Sequence, residues 1–115
     1  MGLSALRGAA AFRRVLARGT SRRSNGIAVH QTPNGLSENR YGIAAKLSAG
    51  RAVRRNRIRR WTRELLRRWE GNLAEGYDVV IISSAGEAVA DFHSFAAHLG
   101  TALSKAGLAE GALSA

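Results

Sequence analysis

Along the chain, short apolar segments alternate with polar ones, and the spacing of the apolar positions separates helices from strands. Around residues 4–18, Leu6, Phe12, Val15 and Leu16 recur at helical spacing, and Gly19 follows where a left-handed cap would end such a helix. Ile27–His30 is a short apolar stretch ended by Thr32-Pro33-Asn34-Gly35, a strong turn signal. Arg40–Lys46 then reads as a second strand, so the two strands and the turn between them predict an antiparallel hairpin.

The longest periodic segment is Gly50–Glu70, where Ile58, Trp61, Thr62, Leu65, Leu66 and Trp69 form one stripe of a helix. Asn56, Arg57, Arg59, Arg60, Arg63 and Arg67 project from the opposite arc. Arginines on adjacent turns repel by a few tenths of a kcal/mol per pair, with only Glu64 nearby to offset them. Binding an anion would relieve that repulsion. The run Val79–Ile82 is continuously apolar and β-branched, the mark of a central strand covered on both faces. Asp91 is placed to cap a last helix whose apolar face holds Phe92, Phe95, Ala96, Leu99 and Leu103. Residues 107–115, rich in Ala, Gly and Ser, are expected to fray. The order helix, two or three strands, helix, strand, helix predicts a single α+β domain with helices packed on a small sheet.

Composition bounds this picture and charge points it at a partner. The 115 residues suit one domain, and with no Cys there is neither a disulfide nor a thiolate metal site. No apolar run approaches the ~18 residues of a membrane helix. The net charge of +10 is unevenly spread: through Arg68 there are 17 basic residues against two acidic ones, a balance of +15. From Trp69 onward Lys105 faces six acids, a balance of −5. Such segregation is the footprint of a polyanion-binding surface. Residues 1–37 hold six Arg and no acid, the composition of an organellar transit peptide, but they also carry the helix and strand signals of the domain itself.

Candidate catalysts are scarce. Phosphodiester cleavage by a protein needs a general acid and base, or carboxylates that hold Mg²⁺, next to the phosphate-binding surface. The basic part offers only Glu38, Glu64 and His30, while His93 and His98 lie in the acidic part. There is no Gly-rich phosphate loop, zinc spacing or nucleophile motif. The chain reads as a binder. A basic helix packed on a sheet suits single-stranded or irregular RNA better than a DNA groove.

Arg40-Tyr41-Gly42, followed by Gly50-Arg51-Ala52-Val53-Arg54-Arg55-Asn56-Arg57-Ile58-Arg59-Arg60-Trp61-Thr62-Arg63-Glu64, resembles the signature of the bacterial ribonuclease P protein component. That signature is R-x-G, then G-x-A-V-x-R-N-R-x-K/R-R-x-x-R-E. The likeness extends to Phe12, Val15 and Gly19 (F-x-x-V-x-x-x-G), to Gly76-Tyr77-Asp78 and to Asp91-Phe92. It implies a small αβββαβα sandwich, ribosomal protein S5 domain 2-like, with a left-handed βαβ crossover.

The resemblance further implies a subunit of a ribozyme that removes the 5′ leader of precursor tRNA in the bacterial cytoplasm. Catalysis would come from the RNA subunit and its bound Mg²⁺, with no catalytic residue in the protein and no metal held by the protein alone. The partners would be that RNA and precursor tRNA, not a membrane, with one protein per RNA and a dimer of the holoenzyme left open. By the same resemblance, Arg51, Arg55, Asn56, Arg57, Arg59, Arg60, Arg63 and Arg67 would meet the RNA subunit. Phe12, Leu16, His30, Lys46, Arg55, Asn56 and Arg63 would line the cleft for the leader. The chain departs from the family pattern in two ways. Lys46-Leu47-Ser48-Ala49 replaces a Lys-Lys pair before Gly50, and Ile27, Val29, His30 and Leu16 stand where cleft aromatics are common. Leader stacking is therefore expected to be weaker, by about 1 kcal/mol or more per lost ring. The alternative is a structural RNA-binding protein, such as a ribosomal component, that uses the same helix without a catalytic RNA.

Overall fold

A computed structural model describes residues 3–110 and Leu113. Among them the strands are β1 (Ser4–Ala5), β2 (Thr20–Ser24), β3 (Ile27–Pro33), β4 (Arg40–Ala45) and β5 (Tyr77–Ser83). The helices are α1 (Ala9–Arg18), α2 (Ala52–Trp69) and α3 (Phe92–Lys105), with short 3-10 turns at Leu47–Ala49, Glu70–Asn72 and Glu87–Val89.

The apolar run Val79–Ile82 dictates the sheet. A strand with apolar side chains on both faces gains most where both faces and both edges are covered. β5 takes that place, parallel to β4 on one side and antiparallel to β3 on the other, in the order β1-β4-β5-β3-β2. This overturns the hairpin expected from Ile27–His30 and Arg40–Lys46: β5 lies between those strands, and residues 34–39 pass over its end. Asn34 shapes that passage, its Oδ1 accepting from Leu36 N (2.8 Å) and its Nδ2 donating to Glu38 O (3.0 Å).

The true hairpin is β2–β3, turned at Asn25-Gly26. Both residues have positive φ (43° and 89°), as a two-residue turn matched to strand twist requires. At Gly19 the expected left-handed cap is replaced by extended backbone (φ −78°, ψ 162°). Glycine is needed there for space, since a Cβ would run into the carbonyl oxygens of Val15 and Gln31. The N-terminal part of the predicted first helix is also different, because Ser4–Ala5 pairs in parallel with Arg40–Tyr41 and helix begins only at Ala9.

Side chains alternate across the sheet and divide the core. Ile27, Val29, Tyr41, Val79 and Ile81 face α2 and α3, joined by Ile58, Leu65, Leu66, Trp69, Phe95, Leu99 and Leu103. On the other face Val80 packs with Leu6 and Val15, flanked by Phe12 and Ile82. A Cβ at Gly42 would collide with the Phe12 ring, so the glycine of Arg40-Tyr41-Gly42 seats α1 on the sheet. Arg40 serves the same strand pair: its Nε and Nη2 donate to the Asp78 carboxylate at 2.7 and 2.8 Å. Asn34 Nδ2 adds a third bond to Asp78 at 3.1 Å. Burial alone would raise the Asp78 carboxyl, but the Arg40 and Asn34 hydrogen bonds outweigh it and hold it below the usual carboxylate value.

Asp91 caps α3 as its position predicts, its carboxylate accepting from Ser94 N at 2.8 Å. Asp91→Ala is expected to cost about 1 kcal/mol in urea denaturation, while Asp91→Asn or Asp91→Ser should be nearly neutral. The predicted fraying does not begin at Gly107. Leu108 and Ala109 are buried, Ala74 N donates to Leu108 O (2.7 Å), and Ala109 bridges to Leu73. Two apolar side chains with a core to enter outweigh the flexible composition around them. Residues 111, 112, 114 and 115 lie outside the described residues.

Candidate nucleic-acid interface

Because α2 spends its apolar stripe on the core, its charged arc must face outward. Ile58, Thr62, Leu65, Leu66 and Trp69 are buried and Trp61 is half-buried, while Arg51, Asn56, Arg57, Arg60, Arg63 and Arg67 are exposed and Arg55 and Arg59 partly so. Among the described residues, Arg54 Nη2 donates to Val89 O (2.6 Å), Arg59 donates to Asn56 Oδ1, and Arg68 pairs with Glu64 (3.1 Å). Among the described residues Arg51, Arg55, Arg57, Arg60, Arg63 and Arg67 have no acidic partner. The first turn carries no acid and no side-chain cap, so the positive end of the helix dipole adds to the field of the arginines. Asn56 acts here by orienting Arg59.

A second feature lies across the sheet, beside α1. A cavity of about 290 Å³ is lined by Leu16, Arg23, Ala28, His30, Lys46, Ile82 and Ser84. Strand alternation puts Ala28, His30 and Ile82 on the α1 face, and the β2–β3 register pairs Arg23 with Ala28 on that face. Lys46 is fixed at the end of β4, where its backbone N donates to Ser83 O at 2.8 Å. The structure thus unites Leu16, His30 and Lys46 from the expected cleft. Phe12, one turn earlier on α1, is seated against Gly42 and does not line the cavity. Arg55, Asn56 and Arg63 do not line it either, and Arg63 instead borders hollows on the α2 side of the sheet. Arg23 is the residue missed from the sequence. The Asn25-Gly26 turn carried its signal, because a two-residue turn fixes the register that sets Arg23 beside His30.

Burial lowers the His30 pKa from 6.5, and the nearby Arg23 and Lys46 charges lower it further. A polyanion in the cavity would oppose both charges and raise it. The His30 ring, followed by NMR against pH, should titrate below 6.5 in the free protein and at higher pH with a short single-stranded RNA bound. An unchanged or lower value in the complex would show that the phosphates do not come near it.

The described residues include no group of three or more His, Cys, Asp or Glu able to hold a metal ion. No described helix is long and apolar enough to cross a membrane. A small α+β domain with an arginine-faced helix on one side of its sheet and a cation-rimmed cavity on the other defines a nucleic-acid-binding protein. The family model for ribonuclease P matches residues 3–107. The chain belongs to the ribonuclease P protein family.

Among its relatives is the ribonuclease P protein component of Caldanaerobacter subterraneus subsp. tengcongensis, 36% identical over 99 residues, which cover 86% of this chain and 85% of that protein. The solved ribonuclease P protein of Thermotoga maritima is 30% identical with a TM-score of 0.79, over 94% of this chain and 99% of that one. The Staphylococcus aureus protein, at 23% identity, shares the fold with a TM-score of 0.84 over 91% of this chain and 96% of that one.

Proposed function

We propose that this ribonuclease P protein works as a two-sided RNA clamp in bacterial tRNA 5′-end maturation. The outer arc of α2 binds the catalytic RNA subunit through Arg51, Arg55, Arg57, Arg59, Arg60, Arg63 and Arg67. The cavity of Leu16, Arg23, His30 and Lys46 holds the single-stranded 5′ leader of precursor tRNA. The observation that carries this reading is the pair of cationic features on opposite faces of one sheet, which lets two RNA segments bind without competing.

Cleavage belongs to the RNA subunit and its Mg²⁺ in this proposal, and the protein supplies binding and positioning. Its donor set suits that division, since Glu64, the one acid on α2, pairs with Arg68. The site of action is the bacterial cytoplasm, with one protein per RNA subunit. The ribosomal-component alternative draws no support from a family match along nearly the whole chain.

Leader binding in this chain rests more on charge than on stacking. Arg23, His30 and Lys46 surround the cavity, whose apolar lining comes from Leu16, Ala28 and Ile82. The double variant Arg23→Ala/Lys46→Ala, assembled with the RNA subunit, should bind leader-bearing precursor roughly tenfold more weakly, from two lost charge contacts of about 1 kcal/mol or less each. Mature tRNA should bind as before. Equal losses on both substrates would remove the leader from this cavity.

A further inference from the structure

We infer that a third hollow, between β1, β4 and α2, is a pocket for one unstacked nucleotide of the RNA subunit. This rests on the ribonuclease P reading above and names a contact within it. The hollow is about 220 Å³, with Leu3, Tyr41 and Ile43 as its apolar wall, the β1 residues along one side, and Arg63 and Arg67 at its mouth.

The wall is firm because each apolar residue is anchored in the core on its far side. Tyr41 is buried and its hydroxyl accepts from Asn39 Nδ2 at 3.1 Å, while Leu3 and Ile43 are half-buried against the main cluster. The two arginines sit one turn apart on α2, without an acidic partner among the described residues. They also line a neighbouring hollow of about 300 Å³ with Arg60 and Glu64, so they form a ridge between the pocket and the open face of the helix.

This combination selects a ligand. A slot of this size with one apolar wall is too small for a helix or duplex and suits one planar ring. Two guanidinium groups at its mouth suit a phosphate joined to that ring, by bidentate hydrogen bonds or by stacking. An RNA base lifted out of its stack provides both. The RNA subunit is the source because the pocket continues the α2 face. The leader cavity lies on the opposite side of the sheet, beside α1. The pocket also gives β1 a purpose: that two-residue strand extends the sheet edge and builds one side of the slot.

The test pairs methyl NMR of the full chain with binding to the RNA subunit. Adenosine monophosphate should shift the Leu3 and Ile43 methyl signals saturably, and inorganic phosphate should leave them in place. Leu3→Ala should weaken binding of the RNA subunit about fivefold with no change in salt dependence, whereas Arg67→Ala should also flatten that dependence by about one unit. Ile43 methyls that ignore the nucleotide, or a Leu3→Ala protein that melts and binds like the parent, would overturn the pocket. So would a Leu3→Ala defect seen only with precursor tRNA present, because the occupant would then be the substrate. If the unsubstituted chain fails to bind the RNA subunit at all, the ribonuclease P reading itself falls, an outcome the parent protein alone identifies.

Discussion

Arg40→Met is expected to destabilise the protein near neutral pH by more than the loss of a surface ion pair, because it takes the hydrogen-bonded cation away from the Asp78 carboxylate. The Asp78 side chain is only 3% exposed, against 36% for Arg40. Met keeps most of the aliphatic stem and removes the guanidinium. The Asn34 amide and the field of the Arg14 cation then remain to hold the buried charge.

The pH dependence separates this cause from lost packing. In the parent, the Asp78 carboxyl lies below its ordinary value, so its contribution is present above the unfolded value of about 3.9 and is lost as pH falls through the folded one. In Arg40→Met, burial without the cation pushes the carboxyl upward, and protonation relieves the cost. The stability gap between the two proteins should therefore shrink between pH 7 and pH 4 in urea titrations. A gap that stays constant would mean that Arg40 stabilises by packing alone.

The second large effect concerns α2. The triple variant Arg55→Ala/Arg57→Ala/Arg60→Ala should weaken binding of the RNA subunit by roughly a hundredfold, taking three charge-assisted contacts at about 1 kcal/mol each. The slope of log K against log salt should flatten by about two to three units. Thermal stability should hold or rise slightly, because these side chains lack acidic partners and removing like charges from one helix relieves repulsion. A large loss of stability would mean that the arginines are structural. An unchanged salt slope would mean that they do not touch phosphate.

The elements read correctly from sequence were those whose signal is local and repeated. α2 carries five turns of consistent phase, Asp91 stands where a cap must stand, and the Val79–Ile82 run announces burial on both faces. The errors came where long-range pairing decides. Strand order is invisible locally, so β3 and β4 looked like a hairpin until β5 took the place between them. β1 is two residues long and exists only because the edge of β4 accepts it. A glycine after a helix usually signals a left-handed cap, whereas Gly19 ends α1 in extended conformation and the nearness of Val15 and Gln31 is what requires a glycine there.

The candidate site divides in the same way. The arginine arc follows from helical phase alone. The cavity needs α1, β2, β3, β5 and the end of β4 to meet, and its lining does not include Arg55, Asn56 or Arg63, which the resemblance placed in the leader cleft. Arg23 was within reach of the sequence through the register of the Asn25-Gly26 turn. The motif residues Arg40, Gly42 and Asp78 join β4 to β5 and seat α1.

The most direct measurement is multiple-turnover cleavage of precursor tRNA at low Mg²⁺ by a bacterial ribonuclease P RNA, with and without the purified chain, alongside the chain alone. The two-sided clamp predicts correct 5′ cleavage by RNA and protein together under conditions where the RNA alone is nearly inactive, and none by the protein alone. Cleavage by the RNA-free protein, or an RNA whose activity and substrate affinity the protein leaves unchanged, would contradict it.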